Sequence, residues 1–216
     1  SEFSKKTMNQ TFFSQNRSLI ILLNLICLGL TLNTTNQTLA ITPPPQIAQQ
    51  NQNRDSAEKA FRQGMESYQK GTISGFKDAI ASWETALPLW QTIVDASQSA
   101  VTLNFLSLAY ANLGQFSKAL KGYQQLLLLT QTLKDQQTEA STLVAIAKIE
   151  AKLGNYQKSL DGLNQSLALW QKIKFKTGEA TALNEIALIY FNLGESKQAI
   201  SYYNQALQSV NSLGNS

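Results

Sequence analysis

The chain of 216 residues has no histidine, one cysteine at position 27, four prolines and only 15% charged residues. Without histidine the commonest general base and metal ligand is missing, and a lone cysteine builds neither a disulfide nor a zinc cluster. Acid–base work would fall to carboxylates, yet Asp and Glu stand singly near expected helix ends and linkers. Glu139 and Glu179 recur where helices should begin, and negative charge there favours the helix dipole. The charged fraction is below the usual ~25%, so solubility rests on Gln, Asn, Ser and Thr. From Ile41 onward 15 Lys and Arg face 13 Asp and Glu, with no basic stripe suited to nucleic acid. The composition points away from an enzyme: no catalytic residue, metal site or cofactor is expected, and nucleic acid is not an expected partner.

What is present is repetition. Leu113-Gly114, Leu153-Gly154 and Leu193-Gly194 recur every 40 residues. The columns after them recur too: Phe116, Ala119, Leu120 and Tyr123 match Tyr156, Ser159, Leu160 and Leu163, then Ser196, Ala199, Ile200 and Tyr203. Phe76, Ala79, Ile80 and Trp83 carry the register backwards. A period of roughly 20–50 residues marks a solenoid or propeller, whose units cover one another's apolar faces. Before each Leu-Gly, apolar residues fall at offsets of three, four and seven, as in Leu183, Ile186, Ala187 and Tyr190, which is one stripe of an α-helix. The glycine then closes the helix in a left-handed conformation. Each unit therefore reads as helix A, tight turn, helix B.

These columns resemble the tetratricopeptide repeat, with Ser107, Ala147 and Ala187 at the family's small position and Gly114, Gly154 and Gly194 at its turn glycine. The resemblance implies an all-α, right-handed α-solenoid of antiparallel helix pairs. Ala199, Tyr203, Ala206 and Leu207 fit helix B of the pattern, whereas the middle unit departs at Glu150, Leu163 and Ser166. The 40-residue period exceeds the commoner 34 and resembles bacterial and kinesin-light-chain-type arrays, which places the extra length in helix B. A late apolar column, Ile93, Leu133, Ile173 and Leu213, supports that placement.

The boundaries that follow are a degenerate first unit at 55–94 and repeats at 95–134, 135–174 and 175–216. Phe61, Gly64, Met65 and Tyr68 serve as the first helix A, with a turn about two residues longer than in later units if the columns are kept. Pro88 removes a hydrogen bond to Glu84 and predicts one bent helix rather than two. Trp83, Trp90 and Trp170 fall on core columns. Four consecutive leucines, 126–129, cannot share one helix face, so Leu128 is either a lone exposed residue or part of a contact patch.

Ahead of the repeats, an apolar run at 19–32 follows Arg17 and leads to Thr38-Leu39-Ala40. This is the pattern of a secretory signal peptide, too short for a membrane span of about 20 residues. Met8 is a plausible native start, making 1–7 added residues and 8–40 the leader. Cleavage after Ala40 predicts an exported protein, periplasmic or extracellular, with no membrane span; an uncleaved anchor is the competing reading. Ile26 before Cys27 is too large for a lipoprotein signal. Residues 41–54, with three prolines and a Gln/Asn-rich run, are expected to form a disordered tether.

The family resemblance also implies a concave groove built from helix A. Its columns here are Asn104, Leu108, Ala111 and Asn112; Val144, Lys148, Ala151 and Lys152; and Asn184, Leu188, Phe191 and Asn192. Such a surface suits a protein or peptide partner, with Lys148 and Lys152 placed to meet a carboxylate. Phe105, Ala145 and Glu185 stand where a family carboxylate clamp would need asparagine and basic residues, which disfavours a clamp of that type. The last helix B leaves Tyr203, Ala206, Leu207 and Val210 without a covering neighbour, which predicts either a longer protein or self-association through this end. The functional expectation is a non-catalytic, exported scaffold for protein–protein interaction. The alternatives are the recognition region ahead of a caspase-like CHAT protease domain and an assembly role by end-to-end stacking.

Overall fold

The computed structural model describes residues 45–212. All regular structure among the described residues is helical: α1 (Pro45–Gln69), α2 (Ile73–Thr92), α3 (Ala96–Asn112), α4 (Phe116–Leu133), α5 (Gln136–Lys152), α6 (Tyr156–Lys172), α7 (Lys176–Asn192) and α8 (Ser196–Asn211). Each helix packs on the next in chain order, and α5 also touches α7. The result is the α-solenoid expected from the repeat. The leader expectation, the proposed start at Met8 and Ile41 to Pro44 lie outside the described residues.

The turns explain why the register is so regular. Gly114, Gly154 and Gly194 take φ of +70°, +80° and +78°, the left-handed conformation that ends each helix A. The next residue then donates its backbone N–H five residues back, as Gln115 to Tyr110 and Asn155 to Glu150, both at 2.9 Å. The linkers between hairpins repeat this geometry without glycine: Val94, Lys134 and Lys174 have φ of +58°, +56° and +58°. A β-branched residue is an outlier there, and Val94 is 85% exposed. Asp95 and Asp135 then cap α3 and α5, accepting the N–H of Gln98 and Thr138 at 3.1 and 3.0 Å. Phe175 holds the same place before α7 and gives no side-chain cap.

Three sequence expectations are corrected. The tether expected at 41–54 is helical from Pro45, because proline suits the first helical position and the packed stretch at Ala57, Ala60 and Gly64 propagates the helix backwards. Gln49 also donates to Asn53 at 3.0 Å one turn on. The extra length of the repeat is not confined to helix B, since α5 and α6 are each 17 residues long. The first turn is no longer than the others: it occupies 70–72, Thr72 caps α2, and the additional residues extend that helix at its start. Pro88 lies inside α2, which continues through it as one helix.

The core follows the predicted columns. Trp83, Trp90, Tyr123, Leu126, Leu163 and Trp170 of helix B are buried, as are Leu103, Leu106, Leu143, Leu183 and Ile186 of helix A. The departures in the middle unit are compensated. Ser159 and Ser166 are fully buried and donate to the carbonyls of Ala147 and Ala140 at 2.6 and 2.8 Å, tying α6 to α5. Glu150 accepts from the Asn155 amide at 2.7 Å. Leu126 is buried while Leu128 is 67% exposed.

Candidate partner-binding groove

Helices α3, α5 and α7 run side by side along one face, and their last turns place Asn112, Lys152 and Asn192 at equivalent positions. Between α5 and α7 a cavity of about 250 Å³ is walled by Lys148, Lys152, Glu185, Leu188 and Asn192, with Leu163 and Ile189 beneath. Between α3 and α5 a second, of about 190 Å³, is lined by Leu108, Asn112, Phe116, Tyr123, Ile149 and again Lys148 and Lys152. The two adjoin, and the lysine pair is their common wall.

Of the ten residues singled out from the sequence, six line these cavities: Leu108, Asn112, Lys148, Lys152, Leu188 and Asn192. Asn104 and Asn184 are exposed but line neither. Phe191 is 63% exposed and also lies outside them. Val144 is corrected. It is buried, packing with Ile186 and lining a separate cavity of about 240 Å³ beside Trp170 and Phe175. Its branched apolar side chain fills the space between α5 and α7 where asparagine, in the other copies, points outward.

The electrostatics are not those of two free cations. Lys148 donates to Glu185 across the α5–α7 interface at 2.5 Å. Lys152 has no carboxylate partner among the described residues; its ammonium stands 5.9 Å from the Phe116 ring centre. Its place in the last turn of α5 also offsets the negative end of the helix dipole. One uncompensated positive charge therefore sits between two apolar hollows. Glu185 and the floor residues Tyr123, Leu163 and Ile189 were missed as groove elements. The signal for Glu185 was its opposite charge, 37 positions after Lys148, in the next copy.

Tyr123 beneath the groove has its phenol pushed up to about 12, chiefly by burial. Tyr110, behind it, is also raised to about 12, by burial and by donating its hydroxyl to the Glu84 carboxylate. Both stay neutral at physiological pH and act as packing groups. Among the described residues no grouping of His, Cys, Asp and Glu could hold a metal, and no helix is long and apolar enough to cross a membrane.

Comparison with known proteins agrees with this geometry. Residues 138–212 match the tetratricopeptide repeat model. No curated protein sequence matches the chain. Among solved structures, aspartyl phosphate phosphatase F from Bacillus subtilis superposes with a TM-score of 0.66 at 15% identity, covering 74% of this chain and 41% of that one. A Rap protein complexed with competence and sporulation factor gives 0.62 at 16% identity over 73% of this chain and 43% of its own. The Pyrococcus horikoshii signal transduction ATPase with numerous domains, which carries a tetratricopeptide repeat sensor, gives 0.65 at 17% identity over 74% and 25%. The chain thus spans less than half the length of each of these three proteins. At such identities the likeness establishes the fold. Residues 138–212 belong to the tetratricopeptide repeat family, and the hairpins before them continue its helical architecture.

Proposed function

We propose that this chain is a non-catalytic scaffold that holds a peptide segment of a protein partner in the groove formed by α3, α5 and α7. The observation that carries this reading is the pair of adjoining hollows whose shared wall is Lys148 and Lys152. Apolar side chains of an extended or helical segment would enter the hollows, and an acidic side chain between them would meet Lys152, since Lys148 is already paired. A Rap protein of this fold was solved in complex with the competence and sporulation factor, which supports reading the fold as a partner-binding scaffold.

The test is a peptide array in which an acidic residue is flanked by apolar anchors, probed with the purified chain. Lys152→Glu should lower affinity for the best binder by about tenfold or more, worth ~1.4 kcal/mol, while Lys152→Arg retains it. The helical melting curve should be unchanged by either substitution. Equal binding by Lys152→Glu and the parent chain would dismiss the groove reading.

Export is proposed on the apolar run at 19–32 and the small-residue site ending at Ala40. The protein recovered from its native host should begin at Ile41. A mature terminus upstream of the apolar run would refute cleavage.

A further inference from the structure

Because the groove is built from copies, its two hollows are near equivalents, and a bound segment would find two registers one repeat apart. Charge breaks the likeness. The hollow between α3 and α5 has Ala145 on its wall, whereas the counterpart forty positions on, in the hollow between α5 and α7, is Glu185. Among the residues lining the two hollows, Glu185 is the one carboxylate.

The two lysines of the shared wall lean opposite ways. The Lys148 ammonium crosses to Glu185 Oε1 at 2.5 Å, on the α7 side. The Lys152 ammonium stands 5.9 Å from the ring centre of Phe116, which lines the hollow on the α3 side. The unpaired positive charge therefore faces one hollow and the carboxylate faces the other. Glu185 has 21% of its side chain exposed against 51% for Lys148, so its charge is the less screened of the pair. An acidic side chain entering beside it would meet like charge above the apolar floor of Leu163 and Ile189, where repulsion is strengthened.

We infer that Glu185 is a specificity-determining residue of the groove: it holds Lys148 and turns acidic side chains away from the hollow between α5 and α7, so that the partner segment binds in one register. In that register the acidic residue meets Lys152 and an uncharged apolar side chain lies against α7. The inference rests on the groove reading above and narrows its partner. A second acidic residue is tolerated at the anchor position beside α3, which Lys152 faces, and excluded at the anchor position beside α7.

Three synthetic peptides test this by titration calorimetry on the full chain: the best single-acid binder from the array, and its two counterparts in which one or the other apolar anchor is replaced by glutamate. With the parent chain the two counterparts should differ by about tenfold or more in dissociation constant. In Glu185→Gln the difference should shrink to about twofold or less, because the repelling charge is gone and Lys148 is released. The pair is partly exposed, so the melting curve of this variant should stay close to that of the parent. Exchanging the charges, Lys148→Glu together with Glu185→Lys, keeps an ion pair between α5 and α7 and should invert which counterpart binds better. Counterparts that bind the parent chain equally, or a ratio that survives Glu185→Gln, would overturn the inference; single-acid binding that is lost in Lys152→Glu would still leave the groove reading standing. If no peptide of the array binds the parent chain, both fall.

Discussion

Between α1 and α4 the helix B columns hold Trp83, Trp90, Tyr123 and Leu126, whereas α6 places Ser159, Leu163 and Ser166 in the register of Ala119, Tyr123 and Leu126. The first region fills its interior with aromatic bulk. Phe61, Tyr68, Phe76, Trp83 and Phe105 form a connected group with ring centres 5.2 to 6.3 Å apart. The Trp83 indole also donates to the Phe61 carbonyl at 3.2 Å. The second region keeps smaller side chains in these columns and ties its helices with buried hydroxyls. One repeat pattern therefore admits two solutions: aromatic bulk, and hydrogen bonds onto facing carbonyls.

The largest effect that separates the two is loss of Trp83. Trp83→Ala removes a fully buried side chain at the centre of the aromatic group. It should cost about 3–5 kcal/mol, at the top of the range for core truncation. Leu163→Ala occupies the same column in the second region and should cost about 2–5 kcal/mol. Chemical denaturation followed by far-ultraviolet dichroism gives both values. A loss at Trp83 smaller than that at Leu163 would reverse the comparison.

Alkaline pH should loosen the first region ahead of the second. Tyr110 and Tyr123 belong to its core, and both phenols are raised from 10.0 to about 12. The unfolded chain loses these protons first, so stability is full below pH 10 and falls as pH rises toward 12. In the second region Tyr190 is raised as well, by burial and by the neighbouring Tyr202. It lies at the edge of the core rather than within it. Hydrogen exchange resolved by segment, over a pH series, should show α3 and α4 losing protection before α6 and α7. Simultaneous loss would mean that the stack unfolds as one unit at high pH.

How much of this was legible depends on whether a feature repeats. The Leu-Gly dipeptides marked the turns inside the hairpins, because a left-handed turn at Gly114, Gly154 and Gly194 leaves the chain little choice. The matching turns at Val94, Lys134 and Lys174 were invisible, since nothing in those residue types favours positive φ. The helical start of α1 was hidden by the proline and amide composition that ordinarily marks a tether. Its helix is extended from residues that pack, a tertiary effect with no local signature. In the groove, columns carried over from the family located Lys148, Lys152, Leu188 and Asn192. The Lys148–Glu185 pair belongs to two different copies, so neither copy alone reveals it. Val144 was misplaced for the same reason: its burial is decided by Ile186 in the following unit.

The smallest effect is the sharpest, because its sign is expected to differ between the regions. Gly64 in α1 and Gly162 in α6 are both helical glycines facing a neighbouring helix. A Cβ at Gly64 would lie 2.3 Å from Trp83 Nε1, whereas one at Gly162 would lie 3.6 Å from the Ala147 methyl carbon, an ordinary contact. Trp83 cannot retreat without disturbing the aromatic rings around it, so Gly64→Ala should destabilise by about 1–3 kcal/mol. Gly162→Ala adds no clash and removes the entropic cost of glycine within a helix, so it should stabilise by roughly 0.5–1 kcal/mol. Thermal melting of the two variants beside the parent chain decides the matter. If both shift in the same direction, aromatic bulk packed against a helical glycine is not what distinguishes these hairpins.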